Sequence, residues 1–364
     1  MLHGLEARGH VGTAHNGEGM TSQSPDFQLN RPGVLIAALP AVLGFVPEKS
    51  LVLVTVDRGE MGCVMRVDLS DELVASVEHI ADVAAGAHAD AAIAVVVDDE
   101  AADCRMCNDE YRRLAASLSS ALAQRGIELL AAHVVDRVAA GGRWHCADDC
   151  GHAGSVEDPS ASPLAAAAVL DGRRLYTRRA ELQAVIAVTD PDRSVALAEA
   201  IGVCDDSRCD ADARRDVETA IAAAADVADG QPLSDDTAAR LGCALTDPLV
   251  RDTLYALAVG EYAGQAESLW AELSRTLPEP WRVEALVLLA FSAYARGDGP
   301  LAGVSLEAAL RSDDSHRMAG MLDTALQSGM RPEQIRDLAT TGYRLANRLG
   351  VRLPPRRAFG RRAG

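Results

Sequence analysis

The chain has 364 residues, 48% hydrophobic and 24% charged, a balance that builds globular cores rather than disordered chain. Its formal net charge of −18 argues against sequence-independent binding to nucleic acid or to an anionic membrane, both of which need an excess of basic residues. Aromatic residues make up only 4%, so small apolar side chains must do most of the packing, which favours closely spaced helices. The eight cysteines are too sparse for a disulfide scaffold and read as the reduced thiols of a cytoplasmic protein. Lys49 is the sole lysine, which confines lysine chemistry to one position.

Residues 1–30 are polar, Gly/His-rich and without periodicity, as expected of a disordered tail, and Met20 offers an alternative start. Residues 34–46 are apolar but too short to span a membrane, and Pro40 interrupts them. No basic cluster precedes them, as a signal peptide would require. A helix is predicted from Pro32, which suits a first turn, through Leu35, Ile36, Leu39, Val42 and Leu43 at helical spacing. Pro40 is expected to kink or split it. Gly44 is the expected left-handed cap, and Pro47 stops the helix from resuming.

The run Leu51-Val-Leu-Val-Thr-Val56 predicts a strand covered on both faces. A turn at 58–62 leads to a second strand over 62–69, paired as a hairpin, and then to a helix over 70–85. Further strands are predicted over 91–97, 127–138 and 143–146, with a long helix over 103–125. This alternation predicts an α/β domain over 31–175, with a mixed, largely parallel sheet and flanking helices.

In such a sheet, ligands sit beyond the carboxyl ends of parallel strands. Asp98, Asp99 and Glu100 occupy one such end, where a carboxylate group can serve as metal ligand or general base. Lys49 and Ser50, in the turn before the first strand, are candidates for holding a phosphate or a cofactor together with Asp98 and Asp99. The chain has no Gly-x-Gly-x-x-Gly and no Walker loop, so a nucleotide site has no motif behind it.

Two cysteine groups carry possible chemistry. Cys104-Arg-Met-Cys107 opens a helix, a setting that lowers a thiol pKa, and its spacing is that of dithiol oxidoreductases. Cys146 and Cys150 follow in the stretch His145-Cys-Ala-Asp-Asp-Cys-Gly-His152. Together, Cys104, Cys107, Cys146 and Cys150 make a four-ligand zinc set, with His145 or His152 as substitutes. Cys63 and Cys243 read as small buried hydrophobes, and Cys204 and Cys209 as part of a polar loop.

Beyond about residue 163 the strand signals stop. Residues 176–245 read as a helical connector, and 246–350 as helix pairs punctuated by Pro280, Pro300 and Pro332. A shift of about 36 residues aligns Tyr255 with Phe291 and Trp270 with Leu306, close to the tetratricopeptide period. An all-α, tetratricopeptide-like domain would offer a concave surface to a protein or peptide partner; an ordinary helical bundle fits the same pattern. No acidic residue follows Asp337, so the chain ends in a basic tail over 351–364, suited to offsetting the acidic surface or to contacting an acidic partner.

The pattern Leu39-Pro40…Leu43-Gly44-Phe45-x-Pro47-x-x-Ser50-Leu51-Val52 resembles the start of an uncharacterised actinobacterial family known only as a domain of unknown function. Arg143-Trp144 with Cys146 and Cys150, Ser162-Pro163-Leu164, Arg251-Asp252, Leu269-Trp270 and Gly297-Asp298-Gly299 extend the resemblance. The family pattern places a Cys-Cys-Pro run after the first of these two cysteines; here a single Cys150 precedes Gly151 and His152. The resemblance implies architecture and no reaction. The sequence therefore reads as a cytoplasmic binding or regulatory protein. Its alternatives are an enzyme using the strand ends or the Cys104/Cys107 dithiol, and a zinc-stabilised interaction domain.

Overall fold

A computed structural model describes residues 30–357, apart from 71–72, 88, 101–104, 171–172, 203–208 and 329. Cys104, Cys204 and most of the predicted tails lie outside the described residues.

The first helix, α1 (Pro32–Leu43), runs through Pro40 without a break. Gly44 then turns left-handed, with φ 76°, and donates its N–H to the Pro40 carbonyl. A Cβ at this position would meet the Pro300 ring at 3.1 Å, so both conformation and space call for glycine. The turn that follows pairs with a distant segment: Tyr176 N–H donates to Gly44 O and Val46 N–H to Tyr176 O. The Leu-Gly-Phe-x-Pro stretch thus joins the sheet side of the molecule to the helical side.

Six strands form one sheet in the order β2-β1-β3-β4-β5-β6. They are β1 (Ser50–Asp57), β2 (Glu60–Asp68), β3 (Ala91–Val97), β4 (Glu128–Val135), β5 (Arg143–Cys146) and β6 (Ala153–Ser155). The expectation of a largely parallel sheet is corrected: among these neighbours only β3 and β4 run parallel. The reason is topological. β2, β3 and β4 do point the same way, as strand–helix–strand crossovers dictate. The β1–β2 hairpin, however, places β1 between β2 and β3 in the opposite direction, converting one parallel pairing into two antiparallel ones.

The sheet is covered on both faces. Leu51, Leu53, Ala94 and Val96 face α2 (Leu73–Gly86) and α3 (Arg105–Ala123). Val52, Val54, Ile93 and Val95 alternate to the other face, against α1. This second core continues without interruption into the helical part, reaching Trp270, Phe291 and Leu349.

The helical part comprises α4 (Pro163–Leu170), α5 (Arg179–Ala184), α6 (Pro191–Ile201), α7 (Asp210–Ala228), α8 (Asp235–Leu245), α9 (Pro248–Leu254), α10 (Ala263–Thr276), α11 (Arg282–Arg296), α12 (Gly299–Ser312), α13 (Arg317–Gln327) and α14 (Pro332–Leu349). Every residue of α11 from Ala285 to Ala295 is buried, so this helix has no solvent face. The helices α10, α12, α13 and α14 surround it. In turn, α14 packs back on α7 and α9. At Gly342 the approach is so close that a Cβ would meet Thr253 O at 2.7 Å. After α14, Arg357 N–H donates to Val259 O and Glu261 N–H to Pro355 O, so residues 351–357 return along the bundle. No described helix is long and apolar enough to cross a membrane.

Candidate metal centre

The two groups of residues singled out in the sequence lie on the sheet in different states. At the start of β1, Lys49 Nζ is 2.5 Å from Asp98 Oδ1, 3.0 Å from Asp99 Oδ1 and 3.1 Å from Glu100 Oε1. The Tyr111 hydroxyl, on α3, donates to Asp98 Oδ2 at 2.5 Å, and Glu100 N–H donates to Asp98 Oδ1 at 3.2 Å. Asp98 is only 4% exposed. Burial alone would push its carboxyl pKa up, but the hydrogen bonds from Lys49 and Tyr111 outweigh burial and hold it below the ordinary range. The Asp98 hydrogen bond, with help from Asp99 and Glu100, holds Lys49 protonated above the usual lysine range. Burial, followed by the Asp98 hydrogen bond, raises Tyr111.

An ammonium so held is no nucleophile, and a carboxylate so stabilised is a weak base. Lys49 sits at φ 42°, a left-handed conformation uncommon for a non-glycine residue. Ser50 is drawn away from this knot: it is fully buried, donates to Glu48 O and accepts from Arg66 Nε at 2.7 Å. Sequence reasoning found Lys49, Asp98 and Asp99 but not Tyr111, whose place over the strand end depends on how α3 packs.

The second group lies at the opposite sheet edge, on the α1 face. Cys146 ends β5 and His152 precedes β6, and Cys146 N–H donates to His152 O at 2.9 Å. The loop between them curls tightly because Asp149 (φ 62°) and Gly151 (φ 81°) are both left-handed, one on each side of Cys150. Asp is one of the few non-glycine residues that tolerate that region, and the neighbouring Asp148 Oδ1 accepts from Cys150 N–H at 3.1 Å. The result is that single ligand atoms of Cys146, Cys150 and His152 all lie within 4.8 Å of one another. Cys150 Sγ is 3.5 Å from His152 Nδ1.

These side chains share a cleft of about 660 Å³ with Ile93, Leu130, Trp144, His133 and the first turn of α1. Cys146 is half-buried, while Cys150 and His152 are exposed. Burial and the neighbouring Cys150 push the Cys146 thiol up to about 12. His133 is buried with its Nδ1 3.7 Å from Cys146 Sγ, and burial lowers its pKa to about 4. Its ring meets Trp144 edge-on, with centroids 5.2 Å apart.

The assembled set differs from the predicted four thiols. His152 joins Cys146 and Cys150, whereas His145 is turned to Asn108 Oδ1 at 2.9 Å. Cys107 packs against the α2–α3 core on the other face of the sheet. Cys104 lies outside the described residues, so the dithiol pair is not described as a pair. Sequence reasoning did not find His133. The signal available was the Gly141-Gly142 turn, which predicts a hairpin bringing β4 and β5 side by side.

Thiolate sulfur with imidazole nitrogen is the donor mixture that zinc and related soft or borderline cations prefer. A family model matches residues 32–333, across both the knot and this cleft. The chain belongs to that family, described as a domain of unknown function (DUF4192). No curated protein and no solved structure matches the chain. Within the stretch matched by the DUF4192 model, the Cys146–Cys150–His152 cluster is the group of three or more metal-ligating side chains found among the described residues.

Proposed function

We propose that this DUF4192 chain is a non-catalytic binding or regulatory protein built on a zinc site, with Cys146, Cys150 and His152 as ligands. The observation that carries this reading is the convergence of their three ligand atoms within 4.8 Å inside one cleft. The mixed sulfur and nitrogen donors favour zinc over magnesium or calcium, which prefer oxygen. A cytoplasmic setting would keep both thiols reduced and available to the metal.

The metal would pin the short β5–β6 hairpin, whose two strands have four and three residues, to the end of the sheet. Such short edge strands gain most from an added cross-link, because they bury little surface of their own. The non-catalytic part of the reading rests on the Lys49 knot: its charges satisfy one another, which removes the strand-end enzyme site of Lys49, Asp98 and Asp99 from first place.

A protein or peptide partner belongs to this reading, with the helical part as its surface. Packing of α10 on α11 and of α11 on α12 supports a repeat-like, tetratricopeptide-type surface; the return of α14 across α7 and α9 supports a closed bundle instead. The deciding experiment is elemental analysis of protein purified without an affinity-tag metal. About one equivalent of zinc is expected, lost in the Cys146→Ser, Cys150→Ser double variant. Less than about half an equivalent would remove the zinc reading.

A further inference from the structure

We infer that His133 is the fourth ligand of this metal, closing a Cys2His2 set that ties the interior of β4 to the β5–β6 hairpin; the assignment depends on the metal reading above. His133 and Cys146 are directly opposed across the antiparallel β4–β5 ladder. Opposed residues send their side chains out of the same face of a sheet, with Cβ atoms about 5 Å apart. His133 Nδ1 reaches to 3.7 Å from Cys146 Sγ, and Cys150 Sγ to 3.5 Å from His152 Nδ1.

Zinc–sulfur and zinc–nitrogen distances of about 2.3 and 2.0–2.1 Å at tetrahedral angles put sulfur and nitrogen about 3.6 Å apart. Both measured separations therefore fall on tetrahedral edges. The two pairs also differ in freedom. His133 and Cys146 stand on ladder-paired strands, and the Trp144 ring holds the imidazole edge-on. Cys150 and His152 stand on an exposed loop, and His133 lies outside the group whose ligand atoms are all within 4.8 Å of one another, so closing the set requires that loop to shift toward His133.

Of the other donors nearby, Asp148 lines the same cleft and caps the Cys150 amide, while His145 faces Asn108. A closed set of four protein ligands is the mark of a structural zinc, because a catalytic site keeps one position for water or substrate. The chain would thus gain rigidity at its sheet edge from the metal.

Cobalt titration of the full-length apoprotein under reducing conditions tests this. Wild type should give the intense visible bands of four-coordinate cobalt with thiolate charge transfer. Loss of a second-shell partner costs about 10–100-fold in metal affinity, so His133→Ala should weaken cobalt and zinc binding by at least about 100-fold. Free imidazole should restore the wild-type spectrum in that variant, a rescue that a merely structural histidine would not show. Cadmium-113 NMR of the unmodified chain gives a second reading that needs no variant: its shift should match two sulfur and two nitrogen donors. Wild-type affinity and spectrum in His133→Ala, or a cadmium shift for two sulfurs and one nitrogen, would overturn the fourth ligand while leaving the three-ligand site standing. Absence of any cobalt spectrum in wild type would overturn both.

Discussion

The two polar clusters on this sheet use similar amounts of chemistry to opposite ends. In the Lys49–Asp98 knot, every charge faces an opposite charge or a hydroxyl, and the buried carboxylate accepts from Lys49, Tyr111 and a backbone amide. In the Cys146–Cys150–His152 cluster, the side chains that converge are sulfur and nitrogen atoms with lone pairs, gathered by a strained loop. Perturbed ionisation on this sheet accompanies charges that already pair with one another. Lys49 and Tyr111 are strongly shifted, yet the shifts record mutual satisfaction. Convergent donors with little charge to neutralise them are the better sign of a ligand.

The comparison can be broken from either side. The largest effect is expected at the cysteine cluster. With free zinc at about 1,000 times Kd, wild type should gain about 4 kcal/mol of stability by mass action, and Cys150→Ser should gain almost none. Denaturant melts with and without zinc measure this; equal zinc stabilisation of both proteins would sink the metal role of Cys150.

At the knot, Asp98→Ala should cost about 2–3 kcal/mol, since it strands the Tyr111 hydroxyl and removes a charged hydrogen bond near the core. Lys49 keeps Asp99 and Glu100, which limits the loss. Zinc stoichiometry should not change; if it did, the two clusters would be coupled rather than independent.

Tyr111→Phe should cost less, about 1 kcal/mol, because Asp98 retains Lys49 and the Glu100 amide. A loss as large as that of Asp98→Ala would show that Tyr111, rather than Lys49, anchors the buried carboxylate.

The smallest and most discriminating effect is in acid. Asp98 has a lowered pKa in the folded state, so its contribution is complete above the ordinary carboxylate value near 3.9 and is lost as pH falls through the lower, folded value. Asp98→Asn should lack that step, so the stability gap between it and wild type should narrow below about pH 4. Melting curves collected from pH 6 to pH 3 would show it; a gap that widens in acid would mean that the sign assigned to Asp98 is wrong.

Much of the local structure was legible in the residues. The doubly buried run Ala91–Val97, the helices expected over 70–85 and 103–125, and the Gly44 cap follow from apolar period and glycine chemistry. Pro40 does not split α1, which continues through it with Pro40 itself buried. The candidate site was only half legible. Cys146 and Cys150 stand four residues apart and advertise themselves. His152 is one of two histidine options beside them, and His133 is set apart by 13 residues.

What the sequence determined by itself is the kind of each element and the residues that line its buried face, because those depend on neighbours within one helical turn or along one pleat. What only the tertiary structure decided is partnership: β1 entering between β2 and β3, Lys49 meeting Asp98 across 49 residues, and His152 rather than Cys107 joining the thiols. Those outcomes are set by strand register and helix docking, where one chain position is chosen over others of equal local propensity by the packing of both sheet faces at once.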